Sequence, residues 1–140
     1  MKLLTLATAG ATLAFAPAVL PPALYEVTTE TSMPHLEENL RYATITEKRC
    51  VAAAEPLASA FPVLQHASLK DCHLQQETHD ARSASYALIC DGGHGTTGNA
   101  IWELGDRRAT GTLYVKLGGK NMTFSQRVTA VRLGQCGTER

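Results

Sequence analysis

The chain has 140 residues with 13 acidic and 13 basic side chains, which fits one domain with a modest core and leaves no net charge. Aromatic residues make up 6% and no basic run occurs, so the electrostatic footprint of a nucleic-acid binder is excluded. Charge is nevertheless unevenly divided: residues 19–80 hold nine acidic and four basic groups, residues 81–140 four acidic and eight basic. Either a bipolar surface steers charged partners, or the halves lie side by side in one sheet and neutralise each other. The low worth of surface ion pairs favours the second.

Lys2 followed by a charge-free stretch from Leu3 to Phe15, ending near small residues, has the pattern of a secretory signal peptide. Ala16-Pro17-Ala18 puts small side chains at the two positions a signal peptidase inspects, which predicts residues 1–18 as the signal and 19–140 as the mature domain. An uncleaved membrane anchor is the competing reading, because no charge falls between Lys2 and Glu26 and about 20 apolar residues can span a bilayer. Thr5, Thr8, Gly10 and Thr12 dilute that stretch, and Pro17, Pro21 and Pro22 would interrupt a helix.

"ALYEVTTETS" predicts a first strand, with Tyr25 and Val27 on one face and Leu24, Glu26 and Thr28 on the other. "NLRYATITEKRC" predicts a second, and the alanine-rich "VAAAEPLASAF" a single short helix interrupted or restarted at Pro56. From Ser68 onward, strands are expected near 68–77, 83–91, 97–104, 109–117 and 121–133 as an antiparallel meander. Gly105-Asp106 and Gly118-Gly119 suit hairpin turns that need positive φ. In the last strand Met122, Phe124, Val128 and Ala130 share a face while Val131 and Leu133 lie opposite, which a β-bulge, or a sheet covered on both faces near its end, would explain. The fold class is therefore mainly β: one curved antiparallel sheet, curling at most into a half-barrel, with one short helix.

Cys50, Cys72, Cys90 and Cys136 form an even set in a chain with an export signal, so two disulfides are expected. Cys72 and Cys90 lie nine residues either side of Ala81, the centre of a polar turn, and so oppose each other across a hairpin at bridging distance. Cys50 is left to pair with Cys136.

"DGGHGTTG" spells G-x-G-x-x-G through Gly93, Gly95 and Gly98. That fingerprint needs a helix after the glycines, and "NAIWELGD" has strand chemistry instead, so the stretch reads as an inter-strand loop or bulge, with no dinucleotide or other cofactor implied. His73, His79 and His94 with Glu77 and Asp91 invite a metal site; in a regular strand His73, Glu77 and His79 would share a face, but the set has no recognised ligand spacing. No G-x-S-x-G elbow occurs, and Ser83, Ser85 and Ser125 fall inside strands. "NMT" at Asn121 matches a glycosylation acceptor. Trp102, the sole tryptophan, is expected in the core or at the rim of the sheet with Tyr86 and Tyr114, which together offer a face for an apolar ligand.

"PPALYEVTTETSMP", "KRCV", "CHLQQETHDARSASYALIC", "GNAIWELGDRRATGTLYVK" and "MTFSQRVTAVRLGQC", in this order behind a signal peptide, resemble the family named domain of unknown function 3617, from about Pro21 to Cys136. Tyr25 stands where tryptophan is common in that family, and the segment after Met33 is less hydrophobic. The resemblance implies an exported, periplasmic protein of Gram-negative type and carries over no activity and no catalytic residue. The expectation is a non-enzymatic periplasmic domain that binds an apolar small molecule or another envelope protein. Two alternatives are an accessory subunit of a membrane complex held by an uncleaved N-terminal helix, and a metal-dependent enzyme using His73 and His94.

Overall fold

The computed structural model describes residues 10, 18–33, 42–52, 55–92, 95–118 and 122–137. In chain order the strands are β1 (Val19–Leu20), β2 (Ala23–Ser32), β3 (Tyr42–Val51), β4 (Glu55–Pro56), β5 (Cys72–His79), β6 (Ser83–Cys90), β7 (Thr97–Leu104), β8 (Arg108–Leu117) and β9 (Met122–Gly134). β1 and β4 form a two-residue ribbon; the other seven make one antiparallel sheet in the order β3-β2-β9-β8-β7-β6-β5. The expected meander is β5 to β9, but its first strand runs from Cys72 to His79 rather than near 68–77, because Ala67–Leu69 form a 3₁₀ turn before it. β2 then returns to pair with β9, with β3 outside it, and the sheet stays open at β3 and β5.

Alternation sets the inner face. Ala23, Tyr25 and Val27 of β2 and Phe124, Val128 and Ala130 of β9 point inward with Leu113 and Val115 of β8, and all are buried. The first strand keeps its predicted limits and its predicted faces. Across the outer face, Glu30 stands opposite Arg127, so some charge from the two halves of the sequence does meet across strands, while Glu26 stands opposite Lys48 within the first half. β3 is exposed on both faces from Ala43 to Cys50, and its Glu47-Lys48-Arg49 run puts charge on an unpaired edge, which discourages edge-to-edge association.

No α-helix forms among the described residues, which corrects the expected short helix. The chain instead takes three short 3₁₀ turns, Leu57–Ser59, Pro62–Gln65 and Ala67–Leu69, and lies across the inner face. Pro56 is committed to β4, and Pro62 opens a second turn within six residues, so no segment is long enough to propagate an α-helix. Leu57, Phe61 and Leu69 are the buried contacts of this cover. Gln126, 4% exposed, clamps it: the Val63 N–H donates to Gln126 Oε1 at 3.1 Å, and Gln126 Nε2 donates to Thr31 Oγ1 at 2.9 Å. The N-terminal segment is tied down similarly, with Ala18 N donating to Gln76 Oε1 at 3.0 Å and Leu57 N to Ala18 O at 3.1 Å.

Both disulfides are closed. Cys72 and Cys90 are direct cross-strand partners with Cα atoms 4.0 Å apart, tighter than an ordinary pair, and Cys50 joins Cys136 at 5.5 Å, tying edge strand β3 to the residues after β9. The irregularity expected in the last strand is a register shift: Leu24 opposes Gly134 while Tyr25 opposes Arg132, leaving Leu133 as the extra residue. Gly105 does not need positive φ, contrary to expectation; a Cβ there would sit 2.9 Å from Arg108 O, so the turn needs glycine for close backbone approach. Gly95 does have positive φ, at 73°, and Gly98 opens β7, so "DGGHGTTG" is a loop running into a strand. Gly93, His94, Gly119 and Asn121 lie outside the described residues.

Candidate functional site

Tyr86 and Trp102 lie together on the inner face, but Tyr114 does not join them. Ala100 of β7 stands opposite both Tyr86 and Leu113, so Tyr114, one residue further along β8, turns to the outer face and is 55% exposed. Trp102, 1% exposed, packs on Phe61 of the cover with ring centroids 5.6 Å apart. The cavity beside it, walled by Val27, Val51, Val128 and Ala130, holds only about 30 Å³, close to one water and far below a ligand site. The inner sheet surface proposed from sequence as an apolar ligand face is thus filled by residues 57–69 of the chain itself. Tyr86 Oη and Trp102 Nε1 are buried there without a hydrogen-bond partner among the described residues, and burial pushes the Tyr86 phenol above its ordinary value.

The outer face is open around Tyr114. One cross-strand row runs Ala87, Asn99, Tyr114, Ser125, Ser32 from β6 to β2. Two clefts flank it: one of about 540 Å³ reaching Asn99, Lys116 and Thr123, and one of about 410 Å³ reaching Thr112, Arg127 and Glu30. Tyr114, Ser125 and Ser32 border both. An exposed phenol flanked by hydroxyl and amide groups on rigid strands can stack on and hydrogen-bond a partner at low conformational cost, as aromatic-rich recognition surfaces do. The sequence reading places Ser125 in a strand but gives it no part in this face, and it does not single out Asn99 or Ser32; even spacing from neighbouring outward residues is their only signal.

The histidine set does not assemble. A bulge at Glu77 resets the alternation of β5, so His73 faces outward opposite Ile89 while His79 turns inward beside Gln76, whose Nε2 lies 2.9 Å from His79 Nδ1. Among the described residues no three His, Cys, Asp or Glu side chains come together. Ser83 and Ser85 serve the hairpin: Ser83 Oγ donates to Asp80, and Ser85 Oγ shares a hydrogen bond with Thr78. Asp80 Oδ1 accepts from the backbone N–H groups of Arg82 and Ser83, both at 2.8 Å, and these bonds hold its carboxyl below the ordinary range.

A family profile described as "Protein of unknown function (DUF3617)" matches residues 20–136. The chain belongs to this family. The match runs from Leu20, at the entry to the sheet, to Cys136, the last bridged cysteine, and so takes in both disulfides and every strand of the main sheet. No curated protein and no solved structure matches the chain.

Proposed function

We propose that this DUF3617 domain is an exported, non-enzymatic binding domain of the Gram-negative periplasm, and that it engages another envelope protein through the outer face of its sheet around Tyr114. The observation that carries this reading is the contrast between faces: the inner one is sealed by the 57–69 cover, whereas the outer one presents an exposed tyrosine between clefts of about 540 and 410 Å³. An apolar small molecule is the weaker occupant, because it would have to displace Phe61 and Leu57 from contacts that hold the fold. Two disulfides fit an oxidising, non-cytoplasmic compartment. No helix among the described residues is long and apolar enough to cross a membrane, and the anchored-subunit alternative rests on the N-terminal residues outside that set.

Photo-crosslinking in a Gram-negative periplasm tests the reading. A crosslinker placed at Tyr114, Asn99 or Ser125 is expected to give the same discrete protein adduct, absent when it is placed at Lys70 in the turn before β5. Absence of an adduct from all three outer-face positions, in cells where the protein is exported and oxidised, would overturn it.

A further inference from the structure

At the opposite end of the strands from Tyr114, four arginines arrive from separate stretches of sequence: Arg82 from the β5–β6 turn, Arg107 and Arg108 around the β7–β8 turn, and Arg132 late in β9. Backbone hydrogen bonds fix their positions. Leu104 N donates to Arg82 O at 2.7 Å, Gly105 N to Arg108 O at 2.7 Å, and Arg132 N to Arg107 O at 2.8 Å. All four line one cleft of about 440 Å³, with Asp106 as its single carboxylate. None of the four makes an ion pair among the described residues. Four arginines against one carboxylate leave a formal excess of three positive charges around the cleft, where like charges repel. Arg127, by contrast, stands opposite Glu30 across strands.

The cleft also has an apolar wall, from Leu20 and Pro21 on the N-terminal segment and Leu104 and Ala109 across from them. Tyr25 borders it, its hydroxyl donating to Pro21 O at 2.7 Å, which holds that segment in place.

We propose that this cleft binds a phosphate ester carrying an apolar group. The cationic side chains are all arginine, whose planar fork pairs two N–H donors with an oxyanion. A phosphomonoester carries about −1.5 to −2 charges at neutral pH and offsets the excess better than one carboxylate. A cleft of about 440 Å³ falls within the size of small-ligand sites. The site is separate from the Tyr114 face, and either can fail without the other.

The test is titration of the full oxidised chain with inorganic pyrophosphate, with vesicles of phosphatidic acid in phosphatidylcholine, and with phosphatidylcholine vesicles alone. Saturable binding of pyrophosphate or of the phosphatidic acid vesicles is expected, weakened tenfold or more by Arg107→Gln/Arg132→Gln and unchanged by the charge-matched Lys48→Gln/Lys70→Gln. Pyrophosphate binding without vesicle binding assigns a soluble ester; vesicle binding assigns a lipid headgroup. No binding of either, or equal loss in both double variants, overturns the proposal. Should the arginine variant fail to fold, arginine side-chain NMR on the wild-type chain decides: shifts confined to the four cleft arginines on titration support the site, and shifts spread evenly over all arginines overturn it.

Discussion

Gly111→Ala adds one methyl group at the most tightly packed point of the sheet. Gly111 faces Trp102 across the β7–β8 ladder, and a Cβ at 111 would lie 2.5 Å from Trp102 Cζ2 and 2.6 Å from Cδ2. Carbon atoms prefer separations of about 3.5–4.0 Å, so the indole would have to retreat by about 1 Å. Little room is available, because buried Phe61 packs on the indole and the cavity beside it holds only about 30 Å³. Overpacking of this kind costs about 1–3 kcal/mol, partly offset by the roughly 0.5–1 kcal/mol that alanine gains over glycine in a strand. With the retreat limited to that cavity, a net loss of about 2 kcal/mol is expected. At about 2 kcal/mol per molar urea, the unfolding midpoint falls by about 1 M. Urea titration followed by fluorescence of the single tryptophan reads this directly. Gly134→Ala, where a Cβ meets nothing within 4 Å, should be neutral or slightly stabilising. On a Trp102→Phe background, Gly111→Ala should cost much less, since the clashing ring is gone. If Gly111→Ala matched the wild-type midpoint, the packing of Trp102 against β8 and the cover would be wrong.

Other variants probe separate parts of the fold. Loop-closure entropy makes the Cys50–Cys136 bridge, spanning 86 residues, worth roughly 4.5 kcal/mol and the Cys72–Cys90 bridge, spanning 18, roughly 3 kcal/mol, so thermal melts of the paired serine variants should show the larger loss for the first. Tyr86→Phe removes an unpartnered buried hydroxyl and should stabilise by about 1 kcal/mol, whereas Tyr25→Phe breaks the bond to Pro21 O and should destabilise by about as much, both read by urea midpoint. Because burial raises the Tyr86 phenol above 10.0, its contribution is complete below that pH and lost as pH rises through the folded value; stability should fall in alkali, less steeply in Tyr86→Phe. Asp80 runs the other way: held below 3.8, it contributes above that pH and loses the contribution as pH falls through the folded value, an acid loss that Asp80→Asn should reduce. Gln126→Leu leaves the Val63 N–H without its acceptor and should cost about 1–3 kcal/mol, with faster amide exchange at Val63.

β2 and β8 were legible because they carry β-branched and aromatic residues at period two, and β2 matches its predicted limits. The Cys72–Cys90 pairing was legible from the hairpin alone, although the bulge at Glu77 was not. The place of β2 between β3 and β9 was hidden, because pairing residue 27 with residue 130 leaves no local trace. Helical propensity misled in the alanine-rich segment, where Pro56, Pro62 and the demands of covering Trp102 decide the conformation. Tyr114 parts from Trp102 for a countable reason: Trp102 pairs with Gly111, so even-numbered residues of β7 share a face with odd-numbered residues of β8. That register depends on the length of the β7–β8 turn. The arginine cleft could not be read as a site, since Arg82 and Arg132 lie 24 to 25 residues from the Arg107-Arg108 pair and meet it only through the sheet; the basic excess of residues 81–140 was its one visible sign.

Intact mass of protein exported to the periplasm, with alkylation before and after reduction, tests the central claim that two bridges staple a covered sheet outside the cytoplasm. The account predicts no alkylation of native material, four alkylations after reduction, and a mature chain beginning near Val19. The same mass shows whether Ala18, whose N–H and C=O bond Gln76 and Leu57, stays with the domain. Four reactive thiols in native material would contradict it.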